Sequence, residues 1–196
     1  MKSLLVYTEP TVEPVTFDEA KSFCRIDTSE NDDNTLLTAL IKAAREWCQG
    51  YTNRTFTATT YTQTLDYFPD CNGAIRLGNP PIQSVTHLKY YDTNGTQQTW
   101  SSSNYSVDTA SEPGRIILAY NTVWPSYRDI ENAIEVRYVA GYASAAVVPQ
   151  SIKQAMLLLV GQMYEYREPE ITGTIISNVE FAVESLLNPF RLYEFV

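Results

Sequence analysis

The chain contains a single histidine, His87, and any Ser-His-Asp triad would have to use it as the general base. His87 lies in the middle of a predicted strand, in the stretch VTHLK, and no Gly-x-Ser-x-Gly turn occurs in the chain. One histidine with scattered cysteines also supplies too few ligands for a usual zinc site. The sequence therefore predicts no hydrolytic centre, no metal and no cofactor.

The three cysteines are Cys24, Cys48 and Cys71, and their wide spacing contains no Cys-x-x-Cys pair. Cys24 and Cys48 fall on apolar faces of predicted helices, where a free cysteine behaves as a small hydrophobic residue. An odd number without paired spacing predicts three reduced thiols, as expected in a reducing compartment.

Carboxylates that could serve as acid and base occur in pairs at Asp18 and Glu19 and at Asp32 and Asp33. Both pairs lie at predicted helix starts, where capping and the helix dipole account for them. Residues 92–95 resemble the start of a calcium loop but lack its closing glutamate. No Gly-rich phosphate loop is present, so we predict that the protein is not an enzyme.

Aromatic residues are frequent, with 14 tyrosines and three tryptophans. Such side chains combine apolar area with a polar tip and are favoured at protein interfaces, although a Tyr-rich sheet would also explain them. We expect the tail, residues 189–196, to be poorly anchored in the free subunit and to order on a partner; the alternative is that it packs back on its own helices. The candidate interface residues are Tyr164, Tyr166, Arg167, Phe190, Arg191, Tyr193 and Phe195.

Two helices are predicted in the first quarter of the chain. Thr16 and Glu19 form a capping box that starts a helix ending near Arg25. A second helix follows the acidic residues 29–34 and ends with Gly50 as its C-cap. The outward residues of this helix are Lys42, Arg45, Glu46 and Gln49, and its apolar stripe contains Leu36, Leu37, Leu40, Ile41, Ala44, Trp47 and Cys48.

A third long helix is predicted over residues 148–168, and it is apolar on almost every face. Such a helix must be covered on all sides. A partner subunit and the core of a single subunit are both possible covers. A short helical segment follows at 181–187, after a loop or edge strand at 171–176.

A block of short strands separates these helices. The hairpin between residues 82–91 and 96–100 is predicted to turn at Asn94 and Gly95 in a type I′ turn, which needs positive φ at both residues. The other predicted strands are 57–68, 74–77, 105–107, 115–118 and 133–140, the last with Ile134, Val136 and Tyr138 inward and Glu135 and Arg137 outward.

Helices and strands are therefore segregated along the chain, which predicts an α+β fold. It consists of a helical bundle from the N- and C-terminal segments with an inserted antiparallel β subdomain. The expected parts are residues 1–54, an N-terminal helical part; 55–142, the β subdomain; and 143–196, a C-terminal helical part and tail.

The composition is that of a folded protein, with 19% charged and 44% apolar residues. The formal net charge of −9 argues against tight nonspecific binding to nucleic acid. The apolar run at residues 4–7 is too short for a signal peptide, and no run reaches membrane-spanning length. These features predict a protein made in a cytoplasm.

The order and spacing of many short segments resemble the head–tail connector (adaptor) proteins of long-tailed bacteriophages. The likeness covers nearly the whole chain. The segments that carry it are Glu13-Pro14-Val15-Thr16, Glu19-Ala20-Lys21, Arg25-Ile26-Asp27, Asp33-Asn34, Leu36-Leu37, Leu40-Ile41, Ala43-Ala44-Arg45, Tyr51-Thr52, Ile75-Arg76-Leu77, Pro80-Pro81-Ile82, Val107-Asp108, Pro113-Gly114-Arg115, Trp124-Pro125, Ala140-Gly141-Tyr142, Val148-Pro149, Ile152-Lys153-Gln154-Ala155, Leu157-Leu158-Leu159-Val160-Gly161, Tyr164-Glu165, Arg167-Glu168, Leu186-Leu187 and Pro189-Phe190-Arg191.

The resemblance implies a structural role without catalytic residues. It implies a ring of identical subunits, commonly twelvefold, that joins the portal protein at the capsid vertex to a tail or stopper/terminator protein. DNA would pass through the ring without specific binding, and the subunit would reside at the head–tail junction of the virion. The fold it implies, a helical bundle with a β insertion, agrees with the segregated elements. A different class of function stays open: a cytoplasmic small-ligand or peptide-binding domain that uses a Tyr-rich β sheet.

Overall fold

The computed structural model describes residues 2–27, 29, 32–70, 73–166 and 176–193. The chain divides into two compact units. We call residues up to Thr11 together with residues 58–143 the β unit, and residues 12–57 with 144–193 the helical unit. The predicted α+β class, with helices at both ends of the sequence and a β block between them, is confirmed.

In its described residues the β unit contains two antiparallel sheets, one of five strands and one of three, in the orders β1-β2-β8-β4-β5 and β3-β7-β6. The expected boundaries assign residues 1–54 to the helical part. The structure differs because residues 2–8 pair with the strand at 59–65 and join the β unit. The strands are β1 (Lys2–Thr8), β2 (Thr59–Leu65), β3 (Ile75–Arg76), β4 (Ile82–Tyr91), β5 (Gln97–Trp100), β6 (Tyr105–Asp108), β7 (Arg115–Leu118) and β8 (Ile134–Ala140).

Strand β8 lies at the centre of the five-stranded sheet and alternates as predicted, with Ile134, Val136 and Tyr138 buried. The Tyr138 hydroxyl donates to the Gly78 carbonyl at 2.9 Å. The Gly78 N–H donates to Oε1 of the buried Gln63, at 3.1 Å. These bonds satisfy polar groups that would otherwise be costly to bury.

The β4–β5 hairpin turns at the predicted place but not with the predicted geometry. Only Gly95 of the two turn residues has a positive φ, at 84°. The Asp92 carboxylate accepts from the N–H groups of Asn94, at 2.9 Å, and Thr96, at 3.0 Å. The aspartate thereby holds the turn in a shape that needs one left-handed residue, whereas a type I′ turn needs two.

Among the residues that the structure describes, the helical unit contains four α-helices: α1 (Phe17–Phe23), α2 (Asn34–Thr52), α3 (Gln150–Glu165) and α4 (Ile176–Leu187). The capping box of α1 is confirmed. The Thr16 N–H donates to Glu19 Oε2 at 2.7 Å, and the Glu19 N–H donates to Thr16 Oγ1 at 3.1 Å. Helix α4 is longer than predicted, and most of the predicted segment 171–176 lies outside the described residues.

Helix α2 differs from its prediction at its end and on its faces. It continues through Gly50 to Thr52 and is capped by Asn53, whose φ of 55° is left-handed. Arg45, predicted to face outward, is buried, and Trp47, predicted to be buried, is 42% exposed. Arg45 can be buried because its Nε donates to Glu13 Oε2 at 2.8 Å. Helical periodicity cannot reveal this partner, since Glu13 lies outside the helix.

Helix α3 is covered by its own subunit. It packs against α1, α2 and α4, and this accounts for apolar residues on nearly every face. Its fully buried side chains are Ile152, Ala155, Met156 and Val160. The core of a single subunit therefore covers one part of this helix, whereas Leu158, Leu159 and Met163 are only half-buried. No helix in the described part of the chain is long and apolar enough to cross a membrane.

Candidate protein–protein interface

The chain end is anchored on the C-terminal end of α2. The Leu192 N–H donates to the Thr52 carbonyl at 3.0 Å, which satisfies a carbonyl that the helix itself leaves free. The Asn53 side chain donates to the Leu192 carbonyl at 2.8 Å, and the Arg54 side chain donates to the Phe190 carbonyl. The expectation of a poorly anchored tail is therefore wrong for residues 189–193, and Phe195 lies outside the described residues.

This anchoring builds an exposed ladder of rings and one cation, which we call the tail platform: Trp47, Tyr51, Arg191 and Tyr193. The Trp47 and Tyr51 rings stack with centroids 5.5 Å apart and planes 8° apart. The Arg191 guanidinium lies 4.7 Å from the Tyr51 centroid and 5.2 Å from that of Tyr193. Tyr193 is 68% exposed, and its hydroxyl donates to the Asn188 side chain at 2.9 Å.

The tail platform unites two predicted interface residues with two that the sequence analysis missed. Arg191 and Tyr193 were predicted, whereas Trp47 was assigned to the buried stripe of α2. The sequence signal that could have identified Trp47 and Tyr51 as neighbours is their spacing, since residues four apart on a helix lie on one face. Trp, Tyr and Arg are the residue types that most often dominate binding energy at interfaces.

The other predicted interface residues have separate surroundings. The Tyr164 hydroxyl donates to Asp33 Oδ2 at 2.7 Å, which ties the end of α3 to the start of α2. Tyr166 follows the last residue of α3 and is exposed. Phe190 is half-buried. Arg167 lies outside the described residues.

His87 belongs to a charged network on the face of the five-stranded sheet opposite the buried β8 side chains. Its Nε2 lies 2.9 Å from Glu135 Oε1, and Arg137 NH2 lies 3.5 Å from the same oxygen. The Arg137 guanidinium also covers the Tyr7 ring at 3.6 Å, and its Nε donates to Thr62 Oγ1 at 3.3 Å. The network links the four strands β1, β2, β4 and β8, and these contacts provide no acid–base relay to a nucleophile.

The thiols and carboxylates of the described residues form neither a reactive nucleophile nor a metal site. Burial raises the pKa of the Cys48 thiol to about 12. Burial, assisted by the Glu165 carboxylate, also raises the pKa of Cys24, so both free thiols stay protonated near neutral pH. Cys71 lies outside the described residues. Within that part of the chain no group of three or more His, Cys, Asp or Glu residues could hold a metal ion.

A cavity of about 470 Å³ bears on the ligand-binding hypothesis. Its walls come mainly from the loop between β7 and β8 and from the segment after β2, not from the tyrosines of the sheet. The Trp124 ring stacks on Phe68 with centroids 4.9 Å apart. The lining residues are Phe68, Pro69, Asp70, Leu118, Val123, Trp124, Pro125, Ser126 and Tyr127.

Comparison with known families and structures matches this chain to one family. The model described as "Head completion protein" matches residues 13–176. No curated protein matches the chain.

The solved structures that resemble the chain come from gene transfer agent (GTA) particles. A chain from the neck of an empty particle, computed with C6 symmetry, has a TM-score of 0.78 at 22% identity, over 99% of this chain and 97% of that one. A chain from the virion of the native particle has a TM-score of 0.79 at 19% identity, over 98% and 97%. A chain from the native neck with C12 symmetry has a TM-score of 0.69 at 20% identity, over 98% and 97%. At these identities the likeness shows the fold.

Proposed function

The chain belongs to the head completion protein family, and from that premise we propose that it is the structural subunit of a ring joining a phage capsid to its tail. The match of the family model to residues 13–176 carries the proposal. The likeness to neck chains supports it, because the fold corresponds over almost the full length of both chains.

We propose that the subunits form a closed ring, twelvefold in the virion. The neck structures of the GTA particle were computed with sixfold and twelvefold symmetry. A ring of identical subunits requires a head-to-tail interface, in which two different surfaces of each subunit meet. The portal protein lies on one side of the ring and a tail or stopper/terminator protein on the other.

The tail platform is the proposed contact with the portal protein. Its parts are held by intramolecular contacts before any partner arrives: hydrogen bonds fix the Tyr193 hydroxyl and the Leu192 carbonyl, and stacking and cation–π contacts join Trp47, Tyr51 and Arg191. Such preorganisation reduces the entropy lost on binding. Phe190 and Phe195 are proposed to extend the same contact. Tyr166 and Arg167 are proposed to form a second contact near the start of α2, which Tyr164 supports through its bond to Asp33.

DNA is proposed to pass through the ring without specific binding. The sequence carries 23 Asp and Glu against 14 Lys and Arg, a formal net charge of −9. Tight binding to the phosphate backbone needs clustered cations. An acidic subunit repels the duplex instead and leaves it free to slide.

The proposed role is structural and non-enzymatic. The subunit is made in the host cytoplasm and ends in the virion, at the junction of head and tail. The alternative, a small-ligand or peptide-binding domain, has less support because the cavity at Phe68 and Trp124 lies beside the Tyr-rich sheet and not on it.

Deletion of the gene from its phage or prophage tests this proposal. Without the ring subunit, DNA-filled heads and separate tails should accumulate, and purified protein added to the extract should restore joined particles. The variant His87→Ala should restore joining as well as the native protein does, because no step needs its imidazole. Normal joined particles in the deletion strain would refute the proposal.

A further inference from the structure

The five-stranded sheet ends in two open edges. Strand β1 pairs with β2 on one side only, and β5 pairs with β4 on one side only. Among the described residues no other strand pairs with either of them. The outer edge of each strand therefore presents backbone N–H and C=O groups that can pair with a strand of another chain.

The central residues of both edge strands lack the charged side chains and prolines that normally prevent such pairing. The charged residue of β1 is Lys2, at its first position, and the pairing of β1 with β2 is irregular between Val6 and Thr8. Residues 3–8 of β1 and all four residues of β5 carry no charge and no proline. Leu5, Val6 and Tyr7 are 64%, 49% and 60% exposed. These three consecutive residues point alternately to the two faces of the sheet, so β1 has exposed side chains on both faces beside its open edge, with the Arg137 guanidinium lying over the Tyr7 ring.

The second edge is exposed but polar. Gln97, Gln98 and Thr99 of β5 all face solvent, and Trp100 at the end of the strand is buried. Amide and hydroxyl side chains of this kind leave the backbone accessible. They also add hydrogen-bonding groups for a neighbouring strand.

The directions of the two edge strands agree. Every neighbouring pair in the order β1-β2-β8-β4-β5 is antiparallel. Strands β1, β8 and β5 therefore run one way, and β2 and β4 run the other way. When β5 of one copy lies beside β1 of a similarly oriented copy, the two strands are parallel, which is a regular pairing mode.

We propose that β1 of one copy pairs in parallel with β5 of the next copy, so that a continuous sheet runs around the ring. This inference rests on the proposed ring. A second copy is the occupant because a head-to-tail ring needs two different surfaces on opposite sides of each subunit, and the two edges of one sheet lie on opposite sides. Pairing of β1 with β1 would give a closed dimer and leave β5 open.

The faces of the two strands also match. Through the register of the sheet, Val6 shares the face of Tyr61, Tyr138, Leu88 and Trp100. Leu5 shares the opposite face with Thr99. In the continued sheet Val6 of one copy lies on the same face as Trp100 of its neighbour, so the uncovered apolar side chain extends an apolar face.

Photo-crosslinking in assembled particles tests the pairing. A photoreactive phenylalanine derivative replaces Leu5, and the protein is added to portal-bearing heads from the deletion strain. Four strand spacings, about 19 Å, separate β1 from β5 within one copy, so any crosslink from position 5 to residues 97–100 joins two copies. Such crosslinks are the expected result. Rings that form on the heads without them would overturn the pairing but leave the ring itself intact.

Lysine substitutions on the two edge strands provide a second test of the pairing. Leu5→Lys and Gln97→Lys each place a lysine on one open edge at an exposed site, so each should keep the melting temperature of the native protein. Each should also lower the number of copies bound per head at least tenfold. The matched control is Tyr120→Lys, at a fully exposed residue of the β7–β8 loop, which should assemble normally. Full rings from both edge variants would overturn the proposal, and failure of the native protein to form rings would instead refute the proposed function.

Discussion

Arg45 is buried on α2 and holds Glu13, which precedes α1, through a contact of 2.8 Å between Nε and Oε2. The side chain of Arg45 is 4% exposed and that of Glu13 is 29% exposed. The segment leading into α1 is thereby fixed to the middle of α2. A buried guanidinium that loses its carboxylate is costly, since its charge then stays in a poorly solvated place.

Glu13→Ala should destabilise the protein by about 1–3 kcal/mol, somewhat below the cost of breaking a fully buried pair because Glu13 is partly exposed. Urea denaturation gives the free energy of unfolding. The matched control is Glu46→Ala, whose carboxylate lies 3.7 Å from Arg45 NH2 but is 54% exposed. That change should cost less than about 1 kcal/mol. Equal losses in the two variants would show that burial does not strengthen the Glu13 pair.

Two leucines of α2 should differ although both belong to the predicted stripe. Leu37 is 1% exposed, so Leu37→Ala should cost about 2–5 kcal/mol of unfolding free energy. Leu40 is only half-buried, and Leu40→Ala should cost clearly less. Denaturant titration of both variants measures the difference. A larger loss of unfolding free energy for Leu40→Ala than for Leu37→Ala would mean that the face of α2 that bears Leu40 packs in the core.

The sequence is sufficient where structure is local. The capping box of Thr16 and Glu19, the bounds of β4 and the alternation along β8 all follow from residues within a few positions of one another. Nearby residues do not determine which side chains of α2 are buried, because Arg45 is buried against a partner 32 residues away. The same reason applies to the tail, where Arg54 bonds a carbonyl 136 residues away. The interface residues stay predictions, since a ring partner leaves no periodic signal in one chain.

The capping box should contribute to pH dependence. The backbone N–H of Thr16 holds the pKa of Glu19 below its usual value of 4.5. Because the folded pKa is the lower one, the contribution is present above about pH 4.5 and is lost as the pH falls through the folded pKa. Glu19→Gln should therefore show a smaller decrease of melting temperature between pH 5 and 3, measured by circular dichroism. If the melting temperature of Glu19→Gln falls as much as that of the native protein, the capping box does not contribute to the acid sensitivity.

Truncation after Asn188 should lower stability, because the tail bonds Thr52, Asn53 and Arg54 of the α2 end. Loss of a few such bonds, at about 1 kcal/mol each, should reduce the melting temperature by several degrees, at about 2–4 °C per kcal/mol for a chain of this size. Differential scanning calorimetry measures it. An unchanged melting temperature would mean that the tail adds nothing to the fold.

Single changes in the tail platform should separate binding from folding. Tyr193 is exposed and lies at the end of the ladder, so Tyr193→Ala should leave the melting temperature nearly unchanged. If the platform is the portal contact, the variant should bind portal-bearing heads about tenfold or more weakly, the usual loss when an interface aromatic is truncated. Cosedimentation with heads measures the affinity. Tyr67→Ala is the matched control, since Tyr67 is 63% exposed but belongs to the β unit, and it should bind as the native protein does. If both variants bind equally well, the platform is not the portal contact, and the aromatic ladder only fastens the chain end to α2.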